Sequence, residues 1–180
     1  MKLNSKQSVL LIIDVQEKLL PVMNNADGLL TSMTKLIRGM KILDIPIILT
    51  EQYPRGLGTT VSEIHELIPD IEAVEKHSFS CCLNENFMSV LEKHNRKQVL
   101  VSGIETHVCV YQTCVDLLEK GYDVFLIVDA VSSRKQDDKN LAIRVLEKKG
   151  VQLRGVEMAL FELIKTSQHE KFKELSITIK

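Results

Sequence analysis

Val9-Leu10-Leu11-Ile12-Ile13, ending in Asp14, is the stretch on which the fold turns. Five apolar residues follow one another without polar alternation. A strand with one wet face alternates, whereas a continuous β-branched and aliphatic run reads as a strand buried on both faces. That is the mark of a parallel sheet covered by helices. Ile45-Pro46-Ile47-Ile48-Leu49, Gln98-Val99-Leu100-Val101-Ser102 and Asp123-Val124-Phe125-Leu126-Ile127-Val128 read the same way. Val151-Gln152-Leu153 is a weaker fifth strand, and a short one falls near Ala73-Val74-Glu75.

Helical patterns lie between these runs. Leu29, Leu30, Met33, Leu36, Ile37 and Met40 recur at steps of three and four, an amphipathic stripe. Asn84 is placed to cap a helix carrying Phe87, Val90 and Leu91. Thr106 is expected to cap another, with Val110, Cys114, Leu117 and Leu118, stopping at Gly121. Asp137 or Asp138 opens a third, closed by Gly150, and Glu157 to Ile164 forms a further one. Alternating strand and helix with right-handed crossovers gives an open parallel sheet with helices on both faces, a three-layer α/β/α, Rossmann-like arrangement. Ligands of such sheets bind beyond the carboxyl ends of the strands.

The chain has 180 residues, with 23 Lys plus Arg against 24 Asp plus Glu. The length suits one domain, taken as 1–180. The near-zero balance provides no general attraction for nucleic acid or an anionic membrane. No segment reaches the roughly 20 apolar residues of a transmembrane helix, and none resembles an export signal. The four cysteines, Cys81, Cys82, Cys109 and Cys114, contain no CxxC pair. A domain of this size needs no disulfide staples, so reduced thiols and a cytoplasmic location are expected.

Three strand ends carry chemistry. Asp14 closes the first strand, where partial desolvation suits a general base; capping or a buried hydrogen bond is its ordinary role. With Thr106 as cap, Cys109 falls in the first helical turn, where free N–H groups stabilise a thiolate and hold an oxyanion. The ordinary reading of such a Cys is an inert buried residue. Lys76 follows the weak strand and is either a surface charge or a partner to a thiol. Cys114 belongs to the apolar stripe, while Cys81 and Cys82 stay undecided. Tyr53 and Arg55-Gly56-Leu57-Gly58 form a loop able to cover the pocket. His107 and Cys109 lack the spacing of a closed zinc site. There is no GxGxxG, Walker or GxSxG motif.

The segments Leu11-Ile12-Ile13-Asp14-Val15-Gln16, Glu75-Lys76-His77-Ser78-Phe79-Ser80, Gly103-Ile104-Glu105-Thr106-His107-Val108-Cys109-Val110 and Asp129-Ala130-Val131-Ser132-Ser133-Arg134 together resemble the isochorismatase-like cysteine hydrolases, which include nicotinamidases and N-carbamoylsarcosine amidases. The resemblance implies a six-stranded parallel sheet and a catalytic triad of Asp14, Lys76 and Cys109. Cys109 would be the nucleophile and Asp14 its base. It also implies a cis peptide between Ile104 and Glu105, with the Glu105 and Cys109 amides as oxyanion hole. Gln16, Tyr53, Phe79, Thr106 and His107 are the expected pocket residues.

Two departures narrow the reading. Metal-binding nicotinamidases carry Asp-x-His after the second strand, where this chain has Thr50-Glu51-Gln52-Tyr53-Pro54. No metal or other cofactor is therefore expected. Isochorismatases of siderophore pathways cleave a vinyl ether and usually lack the Cys that is present here. The expected activity is hydrolysis of a small amide-like or carbonyl substrate through an acyl-enzyme, in a homo-oligomer. A nicotinamidase-type amidase, a peroxide-sensing thiol and a partner-binding scaffold with a vestigial pocket are the alternatives.

Overall fold

A computed structural model describes residues 1–179. Six parallel strands form one sheet: β1 (Ser8–Ile13), β2 (Ile47–Gln52), β3 (Val74–Lys76), β4 (Gln98–Ile104), β5 (Asp123–Ser132) and β6 (Gln152–Arg154). Their spatial order is β3-β2-β1-β4-β5-β6. Connections run outward in opposite directions from β1 and β4, so the sheet reverses between these two central strands.

Among the described residues, eight α-helices accompany the sheet: α1 (Ala26–Ile42), α2 (Pro54–Leu57), α3 (Ser62–His65), α4 (Glu85–Lys93), α5 (Tyr111–Glu119), α6 (Gln136–Lys148), α7 (Val156–Ile164) and α8 (Phe172–Ile179). The period-two geometry of a strand divides the apolar run of β1 between two cores. Leu10 and Ile12 join α1, α7 and α8 on one face. Val9, Leu11 and Ile13 join α4 and α5 on the other. All six residues of β1 are buried, as an unbroken apolar run requires.

Several boundaries differ from the expected ones. β2 begins at Ile47 rather than Ile45, because Pro46 has no N–H to give the ladder; its carbonyl accepts from Leu10 instead (2.9 Å). The short strand ends on Lys76 and so includes it. Asn84 does cap α4, its side chain accepting from the Phe87 amide at 2.9 Å. Asp137 and Asp138 lie inside the first turn of α6, where their charge favours the helix dipole. The short helices α2 and α3, and α8, had no clear apolar period to announce them.

Candidate active site

Asp14, Lys76 and Cys109 come from three separate parts of the chain. Asp14 follows β1, Lys76 ends β3 and Cys109 lies on the turn after β4. Each stands at the carboxyl edge of the sheet, as expected of a ligand site in an open α/β fold.

Asp14 leaves the strand with φ of 55°, a left-handed conformation uncommon for a residue with a side chain. Its carboxylate is fully buried. One oxygen, Oδ2, accepts from Lys76 Nζ at 2.6 Å, and Oδ1 accepts from Thr50 Oγ1 at 2.7 Å. Lys76 is 1% exposed. Its ammonium also donates to Gln52 Oε1 (2.8 Å) and approaches the carbonyls of Ser78 (3.3 Å) and Phe79 (3.4 Å). Burial is the largest single influence and works against its charge, but Asp14 together with the neighbouring Cys81 and Cys109 outweighs it, and the Lys76 pKa is raised. Lys76 is therefore a fixed cation.

Cys109 sits on a π-helical turn, Thr106–Val110, that leads into α5. This corrects the expected cap. Glu105, not Thr106, precedes the turn, and its carbonyl accepts from both Val108 (3.1 Å) and Val110 (3.2 Å). The Thr106 hydroxyl turns away to donate to the Ser132 carbonyl at 2.9 Å. The Ile104–Glu105 peptide is cis. The expected low-pKa thiolate is also corrected. Burial, then the Asp14 charge, push the Cys109 thiol up to about 12, against the lowering by Lys76. The helix end does not offset removal from water, so the resting sulfur is a thiol beside the Asp14 carboxylate.

The other expected pocket residues divide. Gln16 is fully buried. Its Nε2 donates to the Gln52 carbonyl (3.0 Å) and the Gly58 carbonyl (2.6 Å), and its Oε1 accepts from the Gln52 amide (2.7 Å). The side chain thus braces the loop after β2. Tyr53 and Phe79 are about half exposed, with the Tyr53 ring 5.4 Å from that of His77. His107 faces α6, where Nδ1 lies 3.0 Å from Ser133 Oγ and Nε2 lies 4.0 Å from Asp138. Two positions before Cys109 on a helical turn points nearly the opposite way. His107 is directed away from Asp14, Lys76 and Cys109.

Pattern reading missed Thr50 and Gln52, which hold Asp14 and Lys76. They follow Ile47-Ile48-Leu49 on a buried strand, and a polar residue on such a strand was the available signal. Glu51, at the place where a metal-binding nicotinamidase has its ligands, accepts from Thr60 N (2.6 Å) and Oγ1 (2.7 Å). Gln52 is held by Lys76 and donates to the His77 carbonyl. These partners leave the stretch poorly suited to a metal. Cys81 and Cys82 are free, buried thiols, and Cys114 lies in the core. Cys81 Sγ is 4.0 Å from Thr50 Oγ1. A cavity of about 750 Å³ lies at the opposite edge of the sheet, beside Gln7, Lys97 and Tyr122. Its size alone does not mark it as the functional site, since Asp14, Lys76 and Cys109 lie at the other edge of the sheet.

The family model for the isochorismatase domain matches residues 8–158. The chain belongs to the isochorismatase family. Isochorismatase domain-containing protein 2 of Danio rerio is 38% identical over 97% of this chain and 87% of its own length. The secreted isochorismatase effector Isc1 of Phytophthora sojae is 37% identical over 96% of this chain and 84% of its own. Among solved structures, the MAR1 ribonuclease from Caenorhabditis elegans superimposes with a TM-score of 0.94 at 38% identity, covering 99% of this chain and 92% of that one. Its isochorismatase-like three-layer fold is the fold described above. No helix among the described residues is long and apolar enough to cross a membrane.

Proposed function

We propose that this isochorismatase-family hydrolase uses Cys109 as a nucleophile on a small amide or related carbonyl compound, without a cofactor. The observation carrying this reading is a fully buried Asp14–Lys76 pair, 2.6 Å apart, whose carboxylate is close enough to Cys109 to raise its thiol. A surface role explains none of it, since an ion pair removed from water is costly to maintain.

The chemistry follows from these protonation states. Cys109 rests as a thiol, and Asp14 takes its proton as sulfur attacks the carbonyl carbon. A C–S bond forms and the carbonyl π pair moves to oxygen. The amides of Glu105 and Cys109 stabilise that oxyanion; the Val108 and Val110 amides, bonded to the Glu105 carbonyl, are not available for it. Collapse breaks the C–N bond, and the amine leaves with the proton from Asp14. Water then attacks the thioester, giving its proton to Asp14. Breaking the C–S bond releases the acid, and the departing sulfur recovers the proton. Lys76 stays charged throughout and holds Asp14 in place.

A peroxide-sensing role is less well supported, because burial pushes Cys81 to about 11 and Cys82 to about 12, and sensors favour exposed thiolates. The Caenorhabditis elegans neighbour is named a ribonuclease. A polyanion needs uncommitted cations at the site, whereas Lys76 is bound to Asp14 and the chain's formal charge is −1. A small neutral substrate in the cytoplasm, and no nucleic-acid or membrane partner, suit the site better. This reading includes a homo-oligomer.

The test is ammonia release from a panel of small primary amides, nicotinamide included. Cys109→Ala should abolish turnover and keep the circular-dichroism spectrum. Turnover surviving in Cys109→Ala would falsify the nucleophile, and a panel with neither turnover nor an acyl adduct on Cys109 would favour the scaffold alternative.

A further inference from the structure

The Asp14 carboxylate is held through two different oxygens, and the mechanism so far accounts for only one of them. Lys76 holds Oδ2. Oδ1 receives the hydroxyl of Thr50, a fully buried residue on β2. The direction of that hydrogen bond is fixed by chemistry. An ionised carboxylate only accepts, so the Thr50 hydroxyl must donate. On its other side Thr50 Oγ1 accepts from Cys81 Sγ at 4.0 Å. Between an acceptor and a donor, the hydroxyl proton has one place to point.

We propose that Thr50 is a positioning residue for the reaction, fixing the plane of the Asp14 carboxylate so that it meets the Cys109 thiol. The proposal rests on the reading of Cys109 as nucleophile. With Lys76 alone, the carboxylate pivots about its Cβ–Cγ bond and a single anchored oxygen. A second anchor on the other oxygen removes that freedom. The backbone supplies the frame: the Asp14 amide donates to the Thr50 carbonyl at 3.2 Å, and Ile13 pairs with Thr50 across the β1–β2 ladder. One residue therefore registers both the main chain and the side chain of Asp14. Proton transfer is sensitive to such placement, and a misplacement of about 1 Å costs on the order of a hundredfold in rate.

The test measures alkylation of the intact protein by iodoacetamide, resolved by peptide mass spectrometry. In this reaction sulfur displaces iodide: the C–S bond forms, the C–I bond breaks and the thiol proton passes to Asp14. Cys109 and Cys82 have equal exposure, 7% each, so accessibility alone does not favour either. In the wild type Cys109 should react first. Thr50→Val and Thr50→Ala, which lack the hydroxyl, should slow Cys109 about tenfold to a hundredfold. Thr50→Ser should stay within about threefold of the wild type. Cys114, fully buried, should stay unlabelled in all of them, because a loosened fold would expose it. Equal labelling of Cys109 and Cys82 in the wild type would overturn the nucleophile assignment itself. Preferential labelling of Cys109 that persists at wild-type rate in Thr50→Val or Thr50→Ala would overturn the role of Thr50 alone. Slowing in Thr50→Ser equal to that in Thr50→Val would also overturn it, since the hydroxyl would then not matter.

Discussion

Lys76 Nζ lies 2.6 Å from Asp14 Oδ2, and neither side chain has any exposed surface. A pair this deep is held by mutual compensation, so removing one member leaves an uncompensated charge. Lys76→Met should cost about 3–5 kcal/mol of stability, read as a lowered urea midpoint. Combining it with Asp14→Asn should recover part of that loss and no activity. A double variant less stable than either single one would contradict the pairing.

The raised thiols make stability depend on alkaline pH. Burial first, aided by neighbouring negative groups, lifts Cys81 to about 11 and Cys82 and Cys109 to about 12, from an ordinary value of 9.0. The folded state keeps its protons where the unfolded chain loses them. Their contribution is complete below about pH 9 and is lost as pH rises from 9 towards 12. Urea midpoints at pH 8, 9.5 and 10.5 should fall steadily, and a flat series would contradict the burial of these thiols.

Gln16 is bonded to backbone groups on both sides of the rim loop. Gln16→Leu strands the Gln52 amide and the Gln52 and Gly58 carbonyls, each stranded group costing about 1–3 kcal/mol. The lowered melting temperature should be accompanied by faster proteolysis within residues 52–58. Cleavage unchanged there would show that another contact holds the loop.

Gly103 has φ of 111°, and a β-carbon there would stand 2.1 Å from the Ile13 carbonyl oxygen. That atom belongs to the central strand and cannot step aside. Gly103→Ala should yield insoluble or unfolded protein, visible as loss of the far-ultraviolet helical signal. A soluble variant of wild-type stability would mean that β1 and β4 are not in this register.

Much of this architecture was readable in advance because burial on both faces writes itself into composition. Val9 to Ile13 and Asp123 to Val128 need no partner to be recognised as interior strands. The convergence of Asp14, Lys76 and Cys109 on one edge of the sheet was readable through resemblance, since nothing in their spacing states that they meet. What stayed hidden depends on tertiary context. The π turn at Thr106–Val110 arises from how β4 delivers its chain, and a Thr followed by a helical stripe looks the same whether or not it caps. The rise of the Cys109 thiol follows from burial by distant segments, so the local dipole argument had the wrong sign. Thr50 and Gln52 gained their roles only when β2 lay between β1 and β3.

The Gln16 side chain grips the loop after β2 through main-chain atoms alone. A grip of that kind is indifferent to the side chains it holds. Pro54, Arg55 and Leu57 can therefore change identity while the loop keeps its seat and the Asp14 carboxylate its alignment. On the proposed reading, selectivity for one substrate over another is free to differ at the rim while the chemistry beneath stays the same.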